Sequence, residues 1–207
     1  MVCSLDEIAI FLNGLALQNY RPVNDRWLPV IKIAQLRAGS TAGADRTTSE
    51  LDAAYIVEDG DVLFSWSGSL ECVLWAGGSG ALNQHLFKVT SSEYPKWLCF
   101  LGIHHHLEEF RHIAAGKATT MGHIQRHHLS DATLAVPKNP LLDRMGAVIG
   151  SLIESIWQRK VQSRTLAALR DTLLPKLVSG KVRLRHGEPI LRTESRTIGD
   201  RLGDLID

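Results

Sequence analysis

Leu141-Leu142-Asp143-Arg144-Met145-Gly146-Ala147-Val148-Ile149-Gly150-Ser151-Leu152-Ile153-Glu154-Ser155-Ile156 carries its apolar residues in a rhythm that a long helix satisfies. Leu142, Met145, Ile149, Leu152 and Ile156 stand at spacings of 3, 4, 3 and 4, the a/d repeat that makes one face of a helix into a coiled-coil seam. The repeat lapses through Arg159-Lys160-Val161-Gln162-Ser163-Arg164 and resumes as Leu166, Leu169, Leu173 and Leu177. Such a stripe is buried only against a partner, from the same chain or another. Pro175 removes a backbone donor and clashes one turn back, so it is expected to kink or end the helix. Gly180 is the expected stop. The polar stretch 181–207, with charges of both signs, is predicted to be weakly ordered.

Working back from that helix, Pro137 and Pro140 mark a boundary, and residues 1–137 change character. Asp6 to Leu12, followed by Asn13-Gly14, predicts a short helix stopped at Gly14. Leu28-Pro29-Val30-Ile31-Lys32-Ile33 predicts a strand. Tyr55-Ile56-Val57, a polar turn, and Val62-Leu63-Phe64-Ser65-Trp66 predict strand, turn, strand. Gly77-Gly78-Ser79-Gly80 separates a second predicted pair, Cys72–Trp75 and Leu82–Val89. Over Lys96–Ala115 the period becomes helical, with Trp97, Leu98, Leu101, Phe110 and Ile113 near one face and Gly116 at the end. Leu134-Ala135-Val136-Pro137 closes the segment as a short strand. No internal repeat is visible. The organisation read from this pass is a mixed α and β segment over 1–137, a helical region over 138–180 and a tail over 181–207.

The composition suits a globular chain: 207 residues, 44% hydrophobic and 22% charged, long enough to bury a core. No apolar run approaches the roughly 20 residues of a membrane helix, and the first residues lack the basic and apolar regions of a secretory signal. Cys3, Cys72 and Cys99 are an odd number without Cys-x-x-Cys spacing, which reads as reduced thiols in a cytoplasmic protein. Net charge is only +1, but its distribution is uneven: residues 1–137 hold 10 Lys/Arg against 14 Asp/Glu, and 138–207 hold 13 against 8. Arg159 to Arg185 contains eight basic residues and one acid, Asp171. Arg159, Lys160, Arg164 and Arg170 read either as a solvated face or as contacts to phosphates or acidic partners.

Catalytic motifs are wanting. Asn139-Pro140-Leu141-Leu142 lacks the second proline and the aromatic of a methyltransferase motif. Gly116-Lys117 has Arg111 and Ala118 where a phosphate-binding loop needs glycine and a hydroxyl. No Gly-x-Ser-x-Gly elbow is present. His104, His105, His106, His112, His123, His127 and His128, with Glu108 and Glu109 nearby, leave a histidine-dependent metal enzyme as an alternative. Their spacing matches no zinc helix, and surface histidines without a ligand role are the plainer reading.

Four strings, in order, resemble the specificity subunits of type I restriction-modification systems. They are Asn13-Gly14-Leu15-Ala16-Leu17-Gln18-Asn19-Tyr20 with Leu28 to Leu36; Gly60 to Ser69 with Leu82 to Val89; Ala115 to Ile124; and Leu169 to Gly180. The resemblance implies an α+β fold: a target recognition domain over 1–137, with twisted, mainly antiparallel strands and helices, followed by a long coiled-coil spacer helix. It implies a non-catalytic subunit that needs no cofactor of its own and recognises double-stranded DNA. The expected partners are modification (methyltransferase) subunits and, in a complex that also cleaves, a restriction subunit. Such subunits usually carry two recognition domains and two spacers, so a single copy implies either a half-subunit or part of a longer protein. As a half-subunit it would be a homodimer reading a bipartite site. Met145, Ile149, Leu152, Ile156, Leu166, Leu169 and Leu173 are then the expected dimer or partner face. Base readers and phosphate contacts belong on loops held by a sheet. The candidates are Lys117, Thr119, Thr120 and His123; Asn83 and Gln84, whose amides suit adenine but equally suit structural bonds; Ser65, Trp66 and Ser67; and Lys32, Arg37, Gln18 and Tyr20. An orphan half-subunit that competes for modification subunits is the other reading on the same fold.

Overall fold

The computed structural model describes residues 1–22, 25–116 and 122–181, and it divides into two compact units, Met1–Val161 and Gln162–Asp207. The tail beyond residue 181 lies outside the described residues, as do Lys117, Thr119 and Thr120.

The first unit is α+β, as expected. Its strands are β1 Val2–Ser4, β2 Ile10–Asn13, β3 Trp27–Ile31, β4 Arg46–Thr48, β5 Ile56–Val57, β6 Val62–Ser65, β7 Cys72–Leu74, β8 Gly80–Leu82, β9 Leu86–Thr90 and β10 Thr133–Ala135. Its helices are α1 Leu5–Ile8, α2 Ile33–Ala38, α3 Lys96–Gly116, α4 Arg126–Asp131 and α5 Leu141–Met145, which runs through a π-turn, Gly146–Gly150, into α6, Ser151–Val178, whose residues from Gln162 onward belong to the second unit. One four-stranded sheet has the order β2-β9-β6-β7 and a second the order β4-β3-β8-β5, while β1 pairs with β10. The named strands pair antiparallel except β3 with β8.

β6 explains the layering. All four of its residues are buried, which requires cover on both faces of its sheet. Val62 and Phe64 face the main core, with Phe11, Phe87, Ile103, Leu107 and Phe110. Leu63 faces a second cluster with Ile31, Leu36, Trp75, Leu82 and Leu86. α3 covers the first side, and the β4-β3-β8-β5 sheet supplies the second.

Two local expectations are corrected. The helix read from Asp6 to Leu12 is a single turn, Leu5–Ile8, held by the Ser4 amide donating to Glu7 Oε2 at 2.8 Å. Ile10–Asn13 instead pairs with β9, with Phe11 buried and Ile10 exposed, so alternation decides this stretch. The expected strand, turn, strand over 55–66 is present as β5 and β6, which lie in different sheets. β5 pairs with β8 of the other sheet, and β6 pairs with β7 and β9. Lys32 and Ile33 also leave the strand: it ends at Ile31, and Lys32 caps α2, its amide donating to Gln35 Oε1 at 3.3 Å.

The seam read from the opening of the long helix divides in two. Leu142, Met145, Ile149, Ile153 and Trp157 pack against the main core. Leu152 and Ile156, expected in the same stripe, are 59% and 52% exposed. The π-turn adds a residue to one turn and so rotates the helical face beyond it. The indole of Trp97 lies against both glycines of that turn, since a methyl on Gly146 or on Gly150 would stand 3.3 Å from it. Trp157 Nε1 donates to the Trp75 carbonyl at 2.9 Å, and its ring lies over Gly60, whose φ is 92°. In the second unit, Leu166, Leu169, Leu173 and Leu177 are exposed, and α6 has no buried residue. Pro175 does not end the helix. It continues to Val178 and stops at Gly180, which takes the left-handed conformation at φ 69°.

Candidate nucleic-acid interface

Two loops cross at the rim of the sheets and position most of the polar candidates. The segment after β2 runs beside the turn between β8 and β9. Leu15 bridges Asn83, the Gln84 amide donates to the Leu15 carbonyl at 2.9 Å, and the Gly14 amide donates to the Leu86 carbonyl at 3.1 Å. Gly14 is required here, because a methyl on it would lie 2.3 Å from the Asn83 carbonyl oxygen. Asn83 is buried, and its Oδ1 accepts from the His85 amide at 3.3 Å. The structural role foreseen for Asn83 is therefore present, and the same residue lines a cleft.

That cleft, of about 460 Å³, is lined by Leu17, Gln18, Arg21, Val30, Lys32, Asp45, Arg46 and Asn83. It gathers three cations against one carboxylate. Lys32 Nζ meets Asp45 Oδ2 at 2.5 Å, with both side chains substantially exposed; such a pair is weak and open to exchange for a phosphate. The Arg46 guanidinium lies 4.1 Å from the centroid of the exposed Trp27 ring, a cation-π arrangement that orients its planar donors. Tyr20, exposed, holds the loop through its carbonyl, which accepts from Thr47 Oγ1 at 2.6 Å. Other cations of this unit are engaged by the fold itself. Lys88 pairs with Asp61 at 2.9 Å, Lys96 donates to the Gly60 carbonyl at 2.7 Å, and Arg111 bonds the Leu70 carbonyl at 3.1 Å. This division explains how a segment of negative balance presents a locally basic cleft.

On the other side of the Asn83–His85 turn lies a smaller, mostly apolar cleft of about 300 Å³, lined by Asn13, Trp66, Phe87, His123, Ile124, Gln125 and Arg126. Gln84 joins the two sides, because its carbonyl accepts from Trp66 Nε1 at 3.0 Å. Ser67 Oγ lies 2.8 Å from His85 Nδ1, and His85 packs at a tilt on Trp66 with ring centroids 5.7 Å apart.

The structure therefore brings Gln18, Lys32 and Asn83 together in one cleft and Trp66 and His123 in the other, with Gln84 and Ser67 between them. Ser65 stands apart. It is fully buried, and its hydroxyl donates to the Ser69 carbonyl at 2.7 Å and accepts from the Glu71 amide at 2.7 Å, closing the turn. Arg37 is exposed on the last turn of α2 and lines neither cleft. Sequence reasoning passed over Arg21, Trp27, Arg46, His85 and Arg126. Arg46 and Trp27 become neighbours only through the β3–β4 register, in which Trp27 pairs with Thr48 and Pro29 with Arg46. The alternating polar face of a short strand was the one available signal.

Two of the four α3 histidines bond to the fold. His104 Nε2 bonds the Cys72 carbonyl at 3.0 Å, and His106 bonds Glu109 at 3.1 Å and the Thr133 carbonyl at 2.9 Å. Burial lowers the His104 pKa below its ordinary value, and nearby Arg111 acts in the same direction. Burial also raises the Cys72 and Cys99 thiols, Cys99 to about 11. Among the described residues, no three His, Cys, Asp or Glu side chains gather as a metal site, and no helix is long and apolar enough to cross a membrane.

No family model matches the chain. Over 70 residues, 34% of this chain and 16% of the relative, it is 31% identical to the type I restriction enzyme MjaIX specificity subunit of Methanocaldococcus jannaschii. Its fold matches the S subunit of a type I restriction-modification system from M. genitalium, with a TM-score of 0.55 and 14% identity over 86% of this chain and 46% of that one. The resemblance read from the four sequence strings is borne out, in sequence over part of the chain and in fold over most of it. The matched region covers less than half of that solved subunit.

Proposed function

We propose that this chain is a DNA-recognition module of the type I specificity-subunit kind, and that it selects a double-stranded DNA sequence on behalf of a partner adenine methyltransferase. The reading is carried by the basic cleft of Arg21, Lys32 and Arg46 beside Gln18 and Asn83, on a fold matching that of an S subunit. In this reading Arg21 and Lys32 meet phosphates. Gln18 and Arg46 are aimed at base edges, where a planar fork suits guanine and an amide suits adenine. Residues 1–137 are the recognition domain and 138–180 the spacer, and the protein works in the cytoplasm without catalysis of its own. A second copy, joined through the exposed face of α6, supplies the other half of a bipartite site. Modification subunits, and a restriction subunit where one exists, bring the cofactors.

The test is selection from a random duplex library, by the full chain alone and with its methyltransferase partner. Enrichment of one short motif, repeated symmetrically, is expected. Arg21→Ala should then weaken binding across sequences and reduce the salt slope by about 1, whereas Arg46→Ala should relax the choice at one position, a loss of about 1–3 kcal/mol. Failure to enrich any motif in either form would sink the proposal. Partner binding without new methylation would identify a competitor for modification subunits instead.

A further inference from the structure

The cleft beside Trp66 differs in chemistry from the basic cleft. Its walls are aromatic and its mouth carries a cation. Trp66 is fixed by its Nε1, which donates both to Asn13 Oδ1 at 2.9 Å and to the Gln84 carbonyl at 3.0 Å. Phe87 lies beside it at 6.1 Å between centroids, and His123 meets it edge-on at 6.4 Å. Arg126 is equally constrained: Nη2 donates to the Phe11 carbonyl at 3.1 Å and the guanidinium sits 5.6 Å from the Phe87 ring. Holding these groups in place uses only part of the donor set of Arg126, a five-donor fork. At about 300 Å³ the space is at the small end of ligand clefts.

We infer that this cleft takes a single unstacked nucleotide of the bound nucleic acid, its base against the Trp66 and Phe87 walls and its phosphate at Arg126. The inference rests on the DNA-recognition reading above. Aromatic walls accept any base through its π-face, and an arginine at the mouth pairs with phosphate in a forked geometry. A paired base stays within its stack, so occupation requires the nucleotide to leave it. Asn13 and Gln125 then offer polar groups in the lining.

The test titrates the full chain with deoxyadenosine and thymidine monophosphates, with deoxyribose 5-phosphate as the probe lacking a base. The readout is the Trp66 indole N–H resonance, identified by its loss in Trp66→Phe. A saturable shift with the nucleotides and none with the sugar phosphate is expected, with affinity about tenfold weaker in Arg126→Ala. No saturable shift overturns the inference, as does an equal response to the sugar phosphate or unchanged affinity in Arg126→Ala. Because this test needs no target duplex, the two readings fail separately. An enriched motif with a silent titration removes the cleft alone, and a positive titration without a motif removes the recognition role.

Discussion

The opening turns of the long helix and its later turns use the same apolar vocabulary to opposite ends. Leu142, Met145, Ile149, Ile153 and Trp157 are half-buried on the core of the first unit, with Trp97 seated against Gly146 and Gly150. Leu166, Leu169, Leu173 and Leu177, in the second unit, are exposed. The first set is bound into its own domain by large aromatics and by two glycines small enough to admit one of them. The second repeats cleanly but meets no such surface among the described residues. Periodicity therefore tells that a stripe must be covered; what covers it depends on shape elsewhere in the chain.

The contrast can be broken at either end. Trp97→Ala should cost most, about 3–5 kcal/mol of unfolding free energy, because it empties the space between core and π-turn. Chemical denaturation measures it, and a loss below about 1 kcal/mol would mean that the opening turns are not docked. Gly60→Ala should cost less, about 1–2 kcal/mol, since it places a side chain at a positive φ and against the Trp157 ring. The double change Leu166→Glu and Leu173→Glu should leave stability of the first unit within about 0.5 kcal/mol, while converting the proposed dimer to a monomer by light scattering. A large stability loss there would show that these leucines are covered within the chain, and an unchanged mass would remove the dimer.

Much of the α+β fold was legible because burial leaves a simple record. The apolar run Val62–Phe64 marks a strand covered on both faces, and the period change at Lys96 marks α3. The pairing of strands was not legible. β5 and β6 are adjacent in sequence but belong to different sheets, and a short polar turn serves a hairpin and a sheet crossing alike. The candidate site was legible by residue type in part. Gln18, Lys32 and Asn83 were candidates read from loops and amides, whereas Arg46 gave only the alternation of a short strand and Arg126 no linear sign, since their settings depend on Trp27, Phe11 and Phe87.

From its own periodicity and composition, the chain determines a long helix with an apolar face, a mixed segment before it, and an uneven spread of charge. These are properties of neighbours along one strand or one helix turn, written in spacings of two, three and four. Only the tertiary structure decided which part of that face is spent on the chain's own core, and which cations remain at the rim once Lys88, Lys96 and Arg111 have bonded carbonyls and carboxylates of the fold. Those outcomes turn on packing between residues tens of positions apart, where a glycine's missing methyl or a single π-turn changes which side chains meet.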